Sequence, residues 1–181
     1  MISEFLAPVE ENIVDFKESL PERSIGKKIN LYNKSFTNLT NIDIAVIGLN
    51  EYRGSDQTNT NYLKINYLRK EFYSLYSGDW NINLIDLGDV INGDKLSETY
   101  HAVQIICEEL INNEVIPFFI GSSQDLTFSI YKSYCNKNNE INLTSVDNKF
   151  DFGEIKKEFN DSSFMSKIII GTSCKPALCA A

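Results

Sequence analysis

From residue 41 onward, apolar runs alternate with amphipathic segments. The apolar runs predict buried strands at Ile42–Gly48, Ile82–Leu87, Val115–Ile120, Ile141–Val146 and Lys167–Ile170. Apolar residues at helical spacing predict helices at Asn61–Tyr76, Lys95–Asn113, Asp125–Tyr134 and Glu154–Met165. Strands separated by helices of this length predict an α/β fold, a three-layer α/β/α sandwich with a mainly parallel sheet.

The two ends of the chain differ from this alternating region. Residues 1–40 predict an N-terminal helical extension, with an amphipathic helix at Val9–Leu20 that Pro21 ends. Residues 41–170 form the predicted α/β domain. Residues 171–181 are small, contain cysteine and lack periodicity, so we expect an atypical tail. A parallel sheet that ends on a short strand leaves an edge uncovered, which predicts a domain incomplete at its C-terminus.

The charge, the apolar content and the cysteine pattern of the chain exclude some classes of partner and location. The net charge of −8 and the pI near 4.7 argue against nucleic acid or an anionic membrane as the main partner. No apolar run approaches the roughly 20 residues that span a bilayer. Four irregularly spaced cysteines, without a C-x-x-C motif, predict reduced thiols. With no signal-peptide pattern at the N-terminus, these features predict a cytoplasmic protein.

Two predicted strands end in polar clusters that should face one crevice, because ligands gather beyond the carboxyl ends of parallel strands. The first cluster follows Val115–Ile120 and contains Gly121, Ser122 and Ser123. Its backbone N–H groups could bind an anion. The second contains Asp147 and Asp151, four residues apart. These carboxylates could bind a metal, or they could be loop residues that cap a helix beginning near Glu154.

Four segments, taken in order, resemble the first half of the ureohydrolase superfamily, which includes arginase, agmatinase and formiminoglutamase. They are Ile42–Gly48 with its loop to Gly54, Asp86–Val90 (DLGDV), Pro117–Thr127 (PFFIGSSQDLT) and Val146–Asp151 (VDNKFD). The resemblance implies an arginase-like fold and a binuclear manganese centre. Two metals lower the pKa of a bridging water, which then attacks a guanidinium or formimino carbon and releases urea or formamide.

Position by position, the resemblance implies a substituted metal site. Asp147 falls on the bridging aspartate and Asp151 on an aspartate ligand of the first metal. Gln124 falls where the family has a histidine ligand of the first metal, and Lys149 where it has a histidine ligand of the second. A protonated lysine has no lone pair to donate. We therefore expect Lys149 to replace the positive charge of the second metal beside Asp147 and Asp151.

The first cluster also departs from the family's pattern. Gly121 keeps the family's first glycine, and Ser122 replaces the second. Ser123 replaces an aspartate that supports the ligands, while Asp125 stands at a serine position and offers a nearby carboxylate. The family's later aspartate pair lies beyond residue 181.

The resemblance then implies an arginase/formiminoglutamase-family protein that is non-catalytic in this form. The alternative is an active metal-dependent hydrolase of a guanidino or formimino amino acid. A small amino-acid-like ligand and a homo-oligomer are the partners that the family implies. A nucleotide-binding module is disfavoured because the chain has no G-x-G-x-x-G or P-loop motif.

Overall fold

The computed structural model describes residues 2–34, 39–55, 64–137, 140–154, 159–171 and 175–180. The chain divides into two compact units. The first comprises Met1–Asn50, Asn61–Asn92 and Glu109–Gly121, and the second comprises the remaining segments, Glu51–Thr60, Gly93–Glu108 and Ser122–Ala181.

The first unit contains a five-stranded, mostly parallel sheet. Its strands are β1 (Leu6–Ala7), β2 (Asn30–Leu31), β3 (Ile44–Leu49), β4 (Leu84–Val90) and β5 (Ile116–Gly121). The apolar run of β3 is buried, as predicted, and β4 and β5 pair with it in parallel on its two sides. At the far edge, β2 pairs in parallel with β4, and β1 pairs with it antiparallel. Residues 1–40 thus contribute strands as well as the predicted helix.

Three helices accompany this sheet: α1 (Glu11–Ser19), α2 (Ile25–Lys28) and α3 (Ile65–Ser74). Ile13 of α1 is buried in a core cluster with Val46 of β3 and Tyr73 of α3. The same cluster includes Val9, Phe16 and Leu20, which confirms the predicted apolar stripe.

The predicted apolar face of α3 is wrong in part, although Phe72 packs against the core cluster as predicted. The periodicity assigned Tyr67 and Leu75 to that face, but both side chains are exposed. The buried residues are Ile65, Arg69 and Tyr73, spaced four apart. A guanidinium that pairs with a buried carboxylate can occupy a core position, and a hydrophobic pattern does not detect such a residue. Residues 61–63 of the predicted helix lie outside the described residues.

The second unit contains most of α4 (Leu96–Asn112), together with α5 (Thr127–Lys137), β6 (Glu140–Ser145), α6 (Phe164–Gly171) and β7 (Lys175–Ala180). Strands β6 and β7 form a parallel pair. The core cluster of this unit joins Tyr131 of α5 to Phe164, Met165 and Ile168 of α6.

Two predicted elements near the C-terminus are corrected. Lys167–Ile170, predicted as a strand from its isoleucine run, lies within α6, because helical spacing buries Phe164 and Ile168 together. The predicted helix Glu154–Met165 is not continuous: Gly153 N donates to Ser162 O at 2.8 Å and closes a loop between them. Within that prediction, residues 155–158 lie outside the described residues. The predicted tail includes strand β7.

Among the described residues, no helix combines the length and apolarity needed to cross a membrane.

Candidate functional site

The loop after β5 begins with two residues in the left-handed backbone region. Gly121 has φ +93°, and a Cβ there would crowd the Leu49 carbonyl. Ser122 has φ +73°, which a side chain disfavours. The Glu51 carbonyl oxygen offsets this strain by accepting from Ser122 Oγ at 2.6 Å and Ser123 N at 3.2 Å. The loop is therefore held in place just before Gln124.

An ion pair with the exposed Arg53 holds the buried carboxylate of Glu51. Burial would raise the pKa of its carboxyl, but hydrogen bonds from Arg53 and Thr99 lower it below its ordinary value. Arg53 Nε lies 3.0 and 3.1 Å from the two carboxylate oxygens, and Thr99 Oγ1 donates at 3.1 Å. Arg53 also donates to the Gly93 and Asp94 carbonyls. Sequence reasoning missed this pair; a glutamate two residues from an arginine is too common to signal it.

The centre of the candidate site is a hydrogen bond between Gln124 and Asp147. Gln124, at the start of the 3₁₀ turn Gln124–Leu126, donates from Nε2 to Asp147 Oδ2. The other oxygen, Oδ1, accepts from the Lys149 backbone N at 3.3 Å. The Gln124 bond is the main cause that lowers the pKa of Asp147. The structure thus joins two of the residues that the sequence placed around a metal.

Asp151 lies close to the other carboxylates of the second unit. Burial raises the pKa of Asp151, and the negative charges of Asp147 and Asp161 raise it further. Its φ of +47° places it in the left-handed region, which aspartate tolerates better than most residues. The described residues that follow it, through 154, are not helical, and the next four residues, 155–158, lie outside the described residues, so the predicted capping of a helix near Glu154 stays a prediction.

The Lys149 side chain differs from its expected role. It is exposed, and none of the ion pairs within 4.0 Å that the described residues form includes it. Its charge still lowers the pKa of Asp147 and of Asp151, but less than other causes act on them. The Gln124 amide, rather than the Lys149 ammonium, is the side chain that contacts Asp147 directly.

Asp125 is buried, and both oxygens of its carboxylate accept hydrogen bonds. Tyr100 Oη donates to one carboxylate oxygen and Ser123 Oγ to the other. Burial raises the pKa of Asp125, while these two donors lower it. Gly54 packs against the carboxylate, where no larger residue would fit. Asp161 belongs to the same region, since it accepts from Ser55 Oγ at 2.6 Å.

The chemistry of these donors can be compared with what Mn²⁺ requires. Manganese prefers carboxylate and imidazole ligands, but the polar group that Gln124 turns to Asp147 is an NH₂, which cannot ligate. Both oxygens of Asp147 already accept hydrogen bonds. Within the described part of the chain, no three histidine, cysteine, aspartate or glutamate side chains are grouped to hold a metal ion.

Comparison with solved structures gives the fold a class. Formiminoglutamase from Trypanosoma cruzi, in a structure with Mn²⁺, has a TM-score of 0.65 at 16% identity over 77% of this chain. Formimidoylglutamase from Bacillus subtilis has a TM-score of 0.70 at 14% identity over 87%. A putative agmatinase from Clostridium difficile has a TM-score of 0.58 at 22% identity over 73%. This chain covers 51% of each of these proteins.

At such low identities the likeness shows the fold alone. The class is that of α/β proteins with a mostly parallel sheet and an arginase-like arrangement. More particularly, the chain has part of the ureohydrolase fold, which confirms the resemblance carried by its four motif segments. No protein-family profile and no curated protein sequence matches the chain.

Proposed function

We propose that this chain is a ureohydrolase-fold protein that does not catalyse amidine hydrolysis. The observation that carries the proposal is the hydrogen bond from Gln124 Nε2 to Asp147. In the family resemblance these two positions meet through a metal ion. Here they meet directly, and the carboxylate charge is stabilised by an amide and a backbone N–H.

The remaining positions of the site support the same conclusion. Asp151 keeps a carboxylate, but burial and its acidic neighbours raise its pKa, so its charged form is less favoured than that of an ordinary aspartate. Lys149 offers an ammonium where the resemblance expects an imidazole. The site consists of two carboxylates, an amide whose NH₂ faces Asp147, and an ammonium. These groups do not fit a binuclear manganese centre, so we derive no hydrolytic step that uses such a centre.

The alternative is an active hydrolase of a guanidino or formimino amino acid, favoured by the retained Asp147 and Asp151. The chain covers only about half of the length of each solved protein with this fold, so the activity of a whole protein belongs to this alternative. A homo-oligomer and a small amino-acid-like ligand stay as predictions in either case.

Manganese binding and turnover distinguish the two candidates. The purified chain would be titrated with Mn²⁺ by calorimetry, and urea and formamide release would be measured with arginine, agmatine and formiminoglutamate. We expect no stoichiometric Mn²⁺ uptake and no product. Asp147→Asn is the matched control, since weak uptake that survives this substitution is surface binding. Stoichiometric uptake that Asp147→Asn abolishes, together with product release, would establish the active hydrolase.

A further inference from the structure

A cavity of about 290 Å³ lies within the second unit and shares no residue with the Gln124–Asp147 site. Helices α4, α5 and α6 and the loop before α6 form its walls. The lining residues on the helices are Ser97, Tyr100, His101, Gln104, Phe128, Ser129, Lys132 and Lys167, and the loop contributes Phe159. This volume is at the lower end of the range for small-molecule sites, so it suits a ligand of one ring or a short chain.

Helix α4, which lines the cavity, has two different faces. Val103, Ile106 and Cys107 form its fully buried apolar stripe. The residues that line the cavity, Ser97, Tyr100, His101 and Gln104, recur at helical spacing and form a polar stripe. Ser133 of α5 reaches across to the Gln104 carbonyl at 3.1 Å.

The charged side chains that line the cavity are all basic. They are Lys132 and Lys167, and the His101 imidazole lies beside them, in a chain with a net charge of −8. None of the three forms an ion pair within 4.0 Å in the described part of the chain. The nearby carboxylates accept hydrogen bonds from neutral donors and keep their charge: Asp125 accepts from Tyr100, and Glu108 accepts from Gln104 and Asn136. Among the described residues, the basic side chains of the cavity are therefore not paired directly with a carboxylate.

An aromatic wall orders one of these cations. Phe159 packs edge-on against Phe128, with ring centroids 5.4 Å apart, and against Tyr100 at 5.7 Å. Lys167 Nζ lies 4.1 Å from the centre of the Phe159 ring and 4.9 Å from that of Phe128. A cation over two ring faces keeps its charge and loses side-chain freedom. Because the Lys167 side chain is already ordered, it loses less conformational entropy when an anion binds beside it.

We propose that this cavity binds a small organic anion, with its carboxylate or phosphate group between Lys132, Lys167 and His101. The apolar body of the ligand packs on Phe128 and Phe159. The Gln104 amide and the Ser97 hydroxyl are the further polar groups of the cavity. This binding activity is separate from the proposed loss of hydrolysis, and neither depends on the other.

The test uses three ring compounds of similar shape: benzoate, phenyl phosphate and the neutral benzamide. Binding to the 181-residue chain would be measured by calorimetry and by NMR shift changes at low salt. We expect both anions to bind at least tenfold more tightly than benzamide. Tighter binding of phenyl phosphate identifies a phosphate ester as the natural class, and tighter binding of benzoate identifies a carboxylate.

Charge-removing variants connect that binding to the cavity. Lys132→Gln changes an exposed residue and should weaken anion binding about tenfold, the loss of roughly one charge-assisted hydrogen bond. Lys167→Met keeps the packing on the rings and should have a similar effect. Lys95→Gln removes an equal charge from an exposed residue of the same unit, outside the lining, and should change affinity less than twofold. Equal binding of benzamide, no binding of either anion, or equal effects of Lys95→Gln and Lys132→Gln would overturn the proposal.

Discussion

Removing Asp86 should destabilise the chain more than removing its partner Arg69. Both side chains are fully buried in the first unit. Arg69 Nε lies 2.7 Å from Asp86 Oδ2, and Nη2 lies 3.3 Å from Oδ1. Asp86 also accepts from Tyr73 Oη and Gly88 N, each at 2.8 Å. The two substitutions, Asp86→Asn and Arg69→Met, leave different groups behind.

The magnitude follows from what each substitution leaves unpaired. Asp86→Asn leaves a buried guanidinium, which cannot lose its proton at any accessible pH. Breaking a buried pair in this way costs about 3–5 kcal/mol. Asp89 still contacts Arg69 Nη2 at 2.8 Å, so we expect the lower end of that range, about 3 kcal/mol. In a chain of this length that corresponds to a fall in Tm of roughly 6–12 °C.

In Arg69→Met the charge that is left unpaired, the Asp86 carboxylate, can be neutralised by taking up a proton, whereas the guanidinium left by Asp86→Asn cannot be neutralised. Burial raises the pKa of Asp86, and Arg69 is the main group opposing that rise. Without Arg69, the folded-state pKa of Asp86 rises further above its unfolded value. A raised carboxyl pKa means that the folded state binds the extra proton, so stability is present at low pH and is lost as pH rises through the folded pKa. Arg69→Met should therefore be closer to the parent chain at pH 5 than at pH 7.

Urea unfolding followed by circular dichroism at pH 5 and pH 7 measures both effects. Asp86→Asn should lose about 3 kcal/mol at either pH, with an unchanged m-value. Asp79→Asn, at an exposed aspartate of the same unit, is the matched control and should stay within about 0.5 kcal/mol. The reasoning fails if Asp86→Asn behaves like Asp79→Asn, or if Arg69→Met is equally destabilised at both pH values.

Three further predictions concern the second unit and its buried groups. Burial raises the pKa of Asp125, so its contribution to stability should be present at low pH and lost as pH rises above the ordinary aspartate pKa. Asp125→Asn should remove that part of the pH dependence, as measured by urea titrations from pH 4 to pH 8. Gly54→Ala would place a methyl group against the Asp125 carboxylate and 2.9 Å from Tyr100 Oη, so the free energy of unfolding from thermal melts should fall by about 1–3 kcal/mol. Gly171→Ala, with only the Lys167 stem nearby, is the control and should show little change. Burial raises the pKa of Cys107 to about 12, so its thiol should not react with a disulfide reagent at pH 8 in the folded chain. Cys107→Ser should therefore leave the number of reactive thiols unchanged in the folded chain and lower it by one in urea. A drop in the folded chain would contradict the burial of Cys107.

Patterns of apolar residues predicted where the longer strands lie, but β5 is not buried as predicted, since Ile116 and Phe118 are exposed. The run at β3 predicts a buried strand, and β3 is a central strand whose Val46 packs against Ile13 and Tyr73 of two helices. The two-residue strands β1 and β2 have no such pattern, and only their pairing with β4 defines them. The isoleucines of α6 favour a strand locally, but packing of Ile168 against Tyr131 outweighs that preference.

The candidate site divides in the same way. The order of four motif segments along the chain was enough to indicate a ureohydrolase fold, and it identified Gln124, Asp147, Lys149 and Asp151 as the positions to compare. Which of these side chains meet could not be read from their order. Lys149 is close in sequence and opposite in charge, yet the Gln124 amide, 23 residues from Asp147, makes the contact. Likewise, Arg69 and Asp86 are 17 residues apart and pair only because the fold buries both. Periodicity and motif order are local properties of the chain, whereas the partner of a polar group depends on which distant residues the fold brings within hydrogen-bond distance.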